Sequence, residues 1–370
     1  MKSLTGRQVV MMFCLSVISL KFLFFPAIVA RYALNDTYIS VFFGLMIDLA
    51  IIVLICVVIK KNPNLSFKQL LIENLGKVVF YLVYSVMLVY VLFKALLAIK
   101  EVHHYFLEFL YDDFSWLWFM LPIMLLLGYI SAKSLRSMGR TVELLFVFIA
   151  IGVLITVVIP IKDIHLEYLS PFFSNTKGIF EGLFHTVFVY ADWIIIVLVM
   201  GDFNVNKNTS RNILIFTIGT YIFVTLFLII YVALFRNIGV FKPYAFSALP
   251  LYTDLPGNSG RLDWLSSIIW TFTLILQSGI MVAMASHILR QMFPKIKPVA
   301  CSVVCVGFLI SGMMVFYLNL SRLIKLIIST PFNIVVICVQ ALIPLLIILC
   351  LIIRSIKHKG GGKCLQNSKK

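Results

Sequence analysis

Apolar runs alternate with short polar segments along the whole chain, at about 8–30, 37–59, 78–100, 117–134, 142–161, 181–201, 212–235, 264–289, 298–318 and 332–353. Each is close to the ~20 residues that carry a helix across a bilayer core. Backbone amides in lipid must be bonded within their own segment, so the runs predict helices, unwound only where they line a cavity. The pattern gives an all-α integral membrane protein of about ten transmembrane helices. The helical domain covers 1–355, and a basic tail covers 356–370.

Composition agrees with that reading. Of 370 residues, 62% are hydrophobic and 12% charged, and the mean hydropathy is +1.05. Ordinary soluble domains are ~45–50% apolar and ~25% charged. Ten spans leave no length for a large soluble domain. The small residues at 27–30 could end a signal peptide, but Lys21 interrupts the apolar stretch and more membrane follows, so the first span is expected to be retained.

The net charge of +16 reads as a topology signal. With the N-terminus cytoplasmic, most Lys and Arg fall on the inner side: Lys60, Lys61, Lys68 and Lys77, then Lys133, Arg136 and Arg140, then Arg290, Lys295 and Lys297, then the tail. Glu101, Glu108, Asp112 and Asp113 fall outside. This satisfies the positive-inside rule and puts both termini in the cytoplasm. A nucleic-acid partner would need a basic soluble face, and none is expected; the tail can touch anionic lipid. The seven cysteines show no disulfide or zinc spacing, and neither metal nor cofactor is expected.

Two connections stand out. Residues 62–76, NPNLSFKQLLIENLG, are amphipathic and predict a short interfacial helix on the cytoplasmic side. Residues 237–262 form the longest external connection, long enough for a gate or a partner surface.

A charge near the bilayer centre costs at least ~2.5–3.5 kcal/mol and marks a candidate site. Lys21, Asp48, Lys94 and Asp192 meet that description; Gln277, His287 and Gln340 are milder cases. Lys94 is six residues from the expected end of its span and is expected to snorkel to the interface. Asp48 is either a structural hydrogen-bond partner or a site residue. His287 is close enough to a helix end to reach water. Lys21 sits roughly 13 Å from the end of its run, too deep to snorkel easily. Five residues later Pro26 lacks an N–H, which frees the carbonyl of Phe22. An ammonium beside a freed carbonyl predicts local unwinding.

Broken midplane helices mark the substrate sites of inverted-repeat transporters. Ten spans divide into five plus five, with repeats at about 1–161 and 181–355. The sixth span, FHTVFVYADWIIIVLVMG, then corresponds to the first and carries Asp192 near its middle. That symmetry brings Asp192 to Lys21. The pair is either structural or part of a ligand or proton site.

Several segments now resemble one family, the GerAB-like spore permeases, B subunits of spore-germination receptors within the amino acid–polyamine–organocation superfamily. LTGRQ precedes the first helix and FLFFPAIVA ends it. NDTYISVFFGL (35–45) is similar to the family's opening of helix two, with Tyr38 in place of the usual tryptophan. NPNLSFKQLLIENLGK resembles its cytoplasmic segment, RSMGRTVELLF (136–146) carries its Arg-x-x-Glu as Arg140 and Glu143, and GRLDWLSSIIW (260–270) is similar to its opening of helix eight. Arg140 and Glu143, three residues apart, can pair where helix five begins. VYADWII departs from the family's glycine-rich kink in helix six, and a lysine at position 21 is also unusual for it.

The resemblance implies a LeuT-like bundle in a spore's inner membrane. It implies a small germinant, typically an amino acid, bound within the bundle beside an A and a C subunit. A ligand carboxylate would lie against Lys21 or the broken end of helix one and its ammonium toward Asp192. Phe22, Phe25, Tyr190 and Trp193 would shape the pocket, with Pro26 and Asp48 in supporting or coupling roles. The alternative is a proton-coupled amino acid permease, since one fold serves both uses. No nucleophile elbow, HExxH or phosphate-binding glycine loop supports an enzyme.

Overall fold

The computed structural model describes residues 4–109, 116–206, 208–251, 262–316 and 320–367. A two-residue strand β1 (Leu4–Thr5) leads into α1 (Gly6–Lys21), where Thr5 and Gln8 form a capping box that satisfies two of the helix's orphan amides. The chain breaks at Phe22–Leu23 and restarts as α2 (Phe24–Ala33), followed by α3 (Thr37–Lys61). Then come α4 (Phe67–Leu75), α5 (Lys77–Phe109), α6 (Trp116–Ala132) and α7 (Leu135–Val158). The second half has α8 (Thr176–His185), α9 (Ile194–Leu198), β2 (Phe203–Asn204), α10 (Thr209–Phe235) and α11 (Ala245–Leu251). It closes with α12 (Leu262–Met292), α13 (Pro298–Val315), α14 (Leu320–Ile328) and α15 (Thr330–Asn367).

The protein is all-helical apart from the pair β1–β2 among the described residues, and it is an integral membrane protein. Among the described residues seven helical segments are long and apolar enough to cross a membrane by length and composition. The expected runs outside those seven are 8–30 and 181–201, where the helix is interrupted, and 117–134, where the apolar helix is shorter. Interior and lipid-facing spans separate clearly. The apolar windows of α12 and α5 are 72% and 67% buried, against 22% for α15. Leu125, Phe148, Val303 and Leu345 point outward, as apolar side chains do where the solvent is lipid. The α5–α12 pair is therefore the centre of the bundle.

Three expectations change here. The third span does not end near residue 100: α5 continues to Phe109 and carries Lys100 and Glu101 into the packed interior. The first part of the connection expected to serve as a gate or partner surface folds inward, because α11 lies buried against α12; residues 252–261 lie outside the described set, as do Asp112 and Asp113. Glu143 pairs with Arg7 and accepts from Gln8 Nε2 at 3.0 Å, while Arg140 is exposed. The N-terminal strand seats against α7, where a Cβ at Gly139 would press on Leu4 and Gln8 at 3.0–3.1 Å, and that docking captures Glu143. The interfacial helix forms as α4, capped by Ser66 and Gln69, with Phe67, Leu70 and Leu71 buried.

Candidate functional site

Both interruptions meet in the bundle interior. Lys21 is the last residue of α1, where a cation complements the negative end of the helix dipole. Pro26 sits in the first turn of α2, a position where its missing N–H costs nothing. The expected free carbonyl at Phe22 is not free. Phe246 N–H donates to Phe22 O at 3.0 Å, and Ala245 N–H donates to Leu23 O at 3.3 Å. The start of α11 thus closes the first break with backbone hydrogen bonds.

The second break runs from Thr186 to Trp193. After α8 a short 3-10 turn covers Val187–Val189, Tyr190 is extended, and Ala191 adopts φ +62°. The helix is discontinuous without glycine. Its freed carbonyls are taken up by side chains from three other helices. Gln340 Nε2 donates to Val187 O at 2.9 Å, and the Tyr90 hydroxyl lies 3.3 Å from Phe188 O and 3.1 Å from Tyr190 O. Lys21 Nζ reaches Val189 O at 3.1 Å, and Lys94 Nζ reaches Tyr190 O at 2.5 Å.

The two ammoniums share one carboxylate. Lys21 Nζ is 2.7 Å from Asp192 Oδ2, and Lys94 Nζ is 2.8 Å from Asp192 Oδ1. Ser16 Oγ donates to Oδ1 at 3.1 Å. All three charged side chains are at most 1% exposed. Asp48 supplies the second acid. It accepts Ala191 N–H at 3.1 Å and Trp193 Nε1–H at 3.1 Å, and so pins the turn on which Asp192 stands. Two acids and two lysines thus hold one unwound segment, which keeps the buried charge balanced. Truncating one member of such a set is costly because it strands the others.

Aromatic residues close around this cluster. Lys21 Nζ lies 5.5 Å from the Tyr190 ring centre, and Phe25 meets that ring edge-on at 5.7 Å. Tyr190 packs so tightly on α3 that a Cβ at Gly44 would collide with its ring. Beside Asp48 and Tyr190 lies a cavity of ≈ 530 Å³ between α3, α8 and α15, whose apolar walls could take the body of a small ligand.

The geometry sorts the expected residues. It brings together Lys21, Asp192, Asp48, Trp193, Tyr190 and Phe25. Phe22 is elsewhere: it stacks on Phe227 at 3.9 Å and neighbours Phe223 and Phe246. Lys94 does not snorkel; it completes the cluster. His287 lies 3.0 Å from Asp202 and 2.6 Å from Gln291. Sequence reasoning missed Ser16 and Tyr90, which are ordinary residues of apolar helices and carry no local signal. Among the described residues no group of three His, Cys, Asp or Glu could hold a metal ion.

The model of one protein family, described as spore germination protein, matches residues 3–320. The chain belongs to that family. No curated protein matches it. As a spore germination family member it is a germination-related, permease-like membrane protein. Its family is of the transporter or receptor type rather than an enzyme family. Both interruptions and the ion cluster lie within the matched stretch.

Proposed function

We propose that this chain is the membrane-embedded sensor subunit of a germinant receptor, in the inner membrane of a spore beside A and C subunits. Its ten spans are α1 with α2, α3, α5, α6, α7, α8 with α9, α10, α12, α13 and α15. They form two inverted repeats, 1–161 and 181–355, with both termini cytoplasmic. The observation that carries the reading is the meeting of two interrupted helices at a fully buried Lys21–Asp192–Lys94 cluster, the kind of midplane site that broken helices build.

The germinant is a small zwitterion, an amino acid. Its carboxylate replaces Asp192 as the partner of Lys21, and its ammonium takes the place of a lysine at Asp192. Phe25, Tyr190 and Trp193 enclose the body, and Asp48 holds the turn in place. Ligand that binds one arrangement of the breaks more tightly shifts the population toward it, and the partner subunits respond to that shift. Phe22 acts from the aromatic cluster on α10 rather than at the ligand.

The same site would also serve a proton-coupled amino acid permease. Purified protein in liposomes, given labelled amino acids, separates the two. Bound label without accumulation in the lumen is expected for the sensor. Accumulation driven by a proton gradient would replace the sensor with the permease.

A further inference from the structure

The interface of α5 and α12 contains polar groups that the ion cluster does not use. Glu101 on α5 is fully buried, and among the described residues neither of its carboxyl oxygens has a hydrogen-bond partner. On α12, Gln277 is fully buried with both amide atoms unpartnered, and Trp270, which packs on Tyr105 of α5, has a buried and unpartnered Nε1. A bare carboxylate with no partner in lipid-embedded protein is too costly to persist as an ion. It must carry a proton or meet a cation.

The placement is specific. Lys94, Ala98, Glu101 and Tyr105 follow the i, i+4, i+7, i+11 spacing of one helix face, so Glu101 stands ~10 Å along the axis from Lys94. The small Ala98 is the residue between them on that face. One turn further, Tyr105 hydrogen-bonds Ser267 through their hydroxyls and packs against Trp270 and Tyr244 at 4.5 and 5.1 Å. The Tyr105–Ser267 hydroxyl pair thus stands one helical turn from Glu101, toward the end of the bundle expected to face outward, and Lys94 with Asp192 lies on the other side of it.

The charged and titratable neighbours can be named. On α5 they are Lys94, Lys100, His103, His104 and Tyr105; Glu108 of α5 and Asp263 of α12 also belong to these helices, with side chains outside the described set. From Trp264 to Ser286, α12 has no charged residue, and neither do the described parts of α6, α11 and α13. Tyr244 precedes α11; α14 has Arg322 and Lys325, both exposed; Lys68 and Glu73 of α4 lie toward the opposite end.

We propose that Glu101 is a proton-binding site, distinct from the Lys21–Asp192–Lys94 cluster, that holds a proton in this conformation. On release the O–H bond breaks, the proton is taken up by water entering from the outward end past the Tyr105–Ser267 hydroxyl pair, and a carboxylate remains. The ammonium on the same face that can then pair with it belongs to Lys94. Proton loss at Glu101 is therefore tied to departure of Lys94 from Asp192. The bundle thus contains a coupling between a proton and the ion cluster, whichever ligand the cluster takes.

Infrared spectra of the full chain in lipid nanodiscs, with glutamate carboxyls carrying ¹³C and no ligand present, test this directly. At neutral pH a labelled carboxylic-acid band is expected in the wild type and its loss in Glu101→Gln. Glu101→Asp should move that band out of the labelled set while keeping an acid signal, which guards against a variant that fails to fold. Lys94→Met should raise the pH at which the band disappears, and Tyr105→Phe should slow its deuteration. A wild-type spectrum without a labelled acid band at neutral pH would overturn the proposal. A band that titrates identically in Lys94→Met would overturn the coupling.

Discussion

The two breaks solve one problem in different ways. At Phe22–Leu23 the freed carbonyls accept backbone N–H groups from Ala245 and Phe246. Between Val187 and Tyr190 they accept side-chain groups from Lys21, Lys94, Tyr90 and Gln340. In lipid every such group must find a partner. A backbone partner imposes little on sequence, since most residues at 245 and 246 would supply the N–H. A side-chain partner imposes identity, and a charged one also imposes a counter-charge. The first break therefore depends on the position of α11, and the second depends on which residues surround it.

The largest effect should come from the second break. Asp192→Asn strands two buried ammoniums and should cost ~3–5 kcal/mol, read as a loss of thermal stability in detergent or of folded protein altogether. At the first break Phe246→Pro removes the amide that reaches Phe22 O and should cost ~1–3 kcal/mol, whereas Phe246→Leu retains the bond and should cost less. Near-equal losses for those two variants would mean that the aromatic packing, not the backbone bond, closes this break. Ala191 holds φ +62°, which glycine adopts freely. Ala191→Gly should be neutral to stabilising by up to ~1 kcal/mol at matched unfolding conditions, and a clear loss would show that the turn is not strained. The smallest change belongs to Arg7→Ala. Its pair with Glu143 is largely exposed on the arginine side, so the shift should stay below ~1 kcal/mol and shrink with added salt.

What could be read from sequence follows the same division. Lys21 and Asp192 announced themselves as charges inside apolar runs, and the expected division into five plus five spans paired their helices; they lie 2.7 Å apart. Lys94 carried the same signal but was placed by a helix end expected at residue 100. Because α5 runs to Phe109, Lys94 is in fact ~22 Å from that end, and Glu101 is interior for the same reason. Pro26 correctly flagged an interruption nearby, yet the residues that cap it are more than two hundred positions away and leave no local trace. Ala191 gave no sign of its left-handed backbone, because that conformation depends on Asp48 accepting its N–H and on the cluster around Asp192. The Arg140–Glu143 pair failed because local i, i+3 spacing lost to the docking of the N-terminal strand.

The most direct test of the account is binding of tritiated amino acids to the purified protein in lipid nanodiscs, wild type against Lys21→Met, with folding of both checked by thermal unfolding. Lys21→Met leaves Asp192 paired with Lys94 but leaves two buried acids to one lysine, so the variant should be less stable than the wild type, and binding is compared only in samples that thermal unfolding shows to be folded. A ligand held by the buried cluster predicts saturable binding in the wild type that falls at least about tenfold in the variant, the equivalent of ~1.4 kcal/mol. Saturable binding that is unchanged in a folded Lys21→Met protein would contradict the assignment of the two breaks as the ligand site.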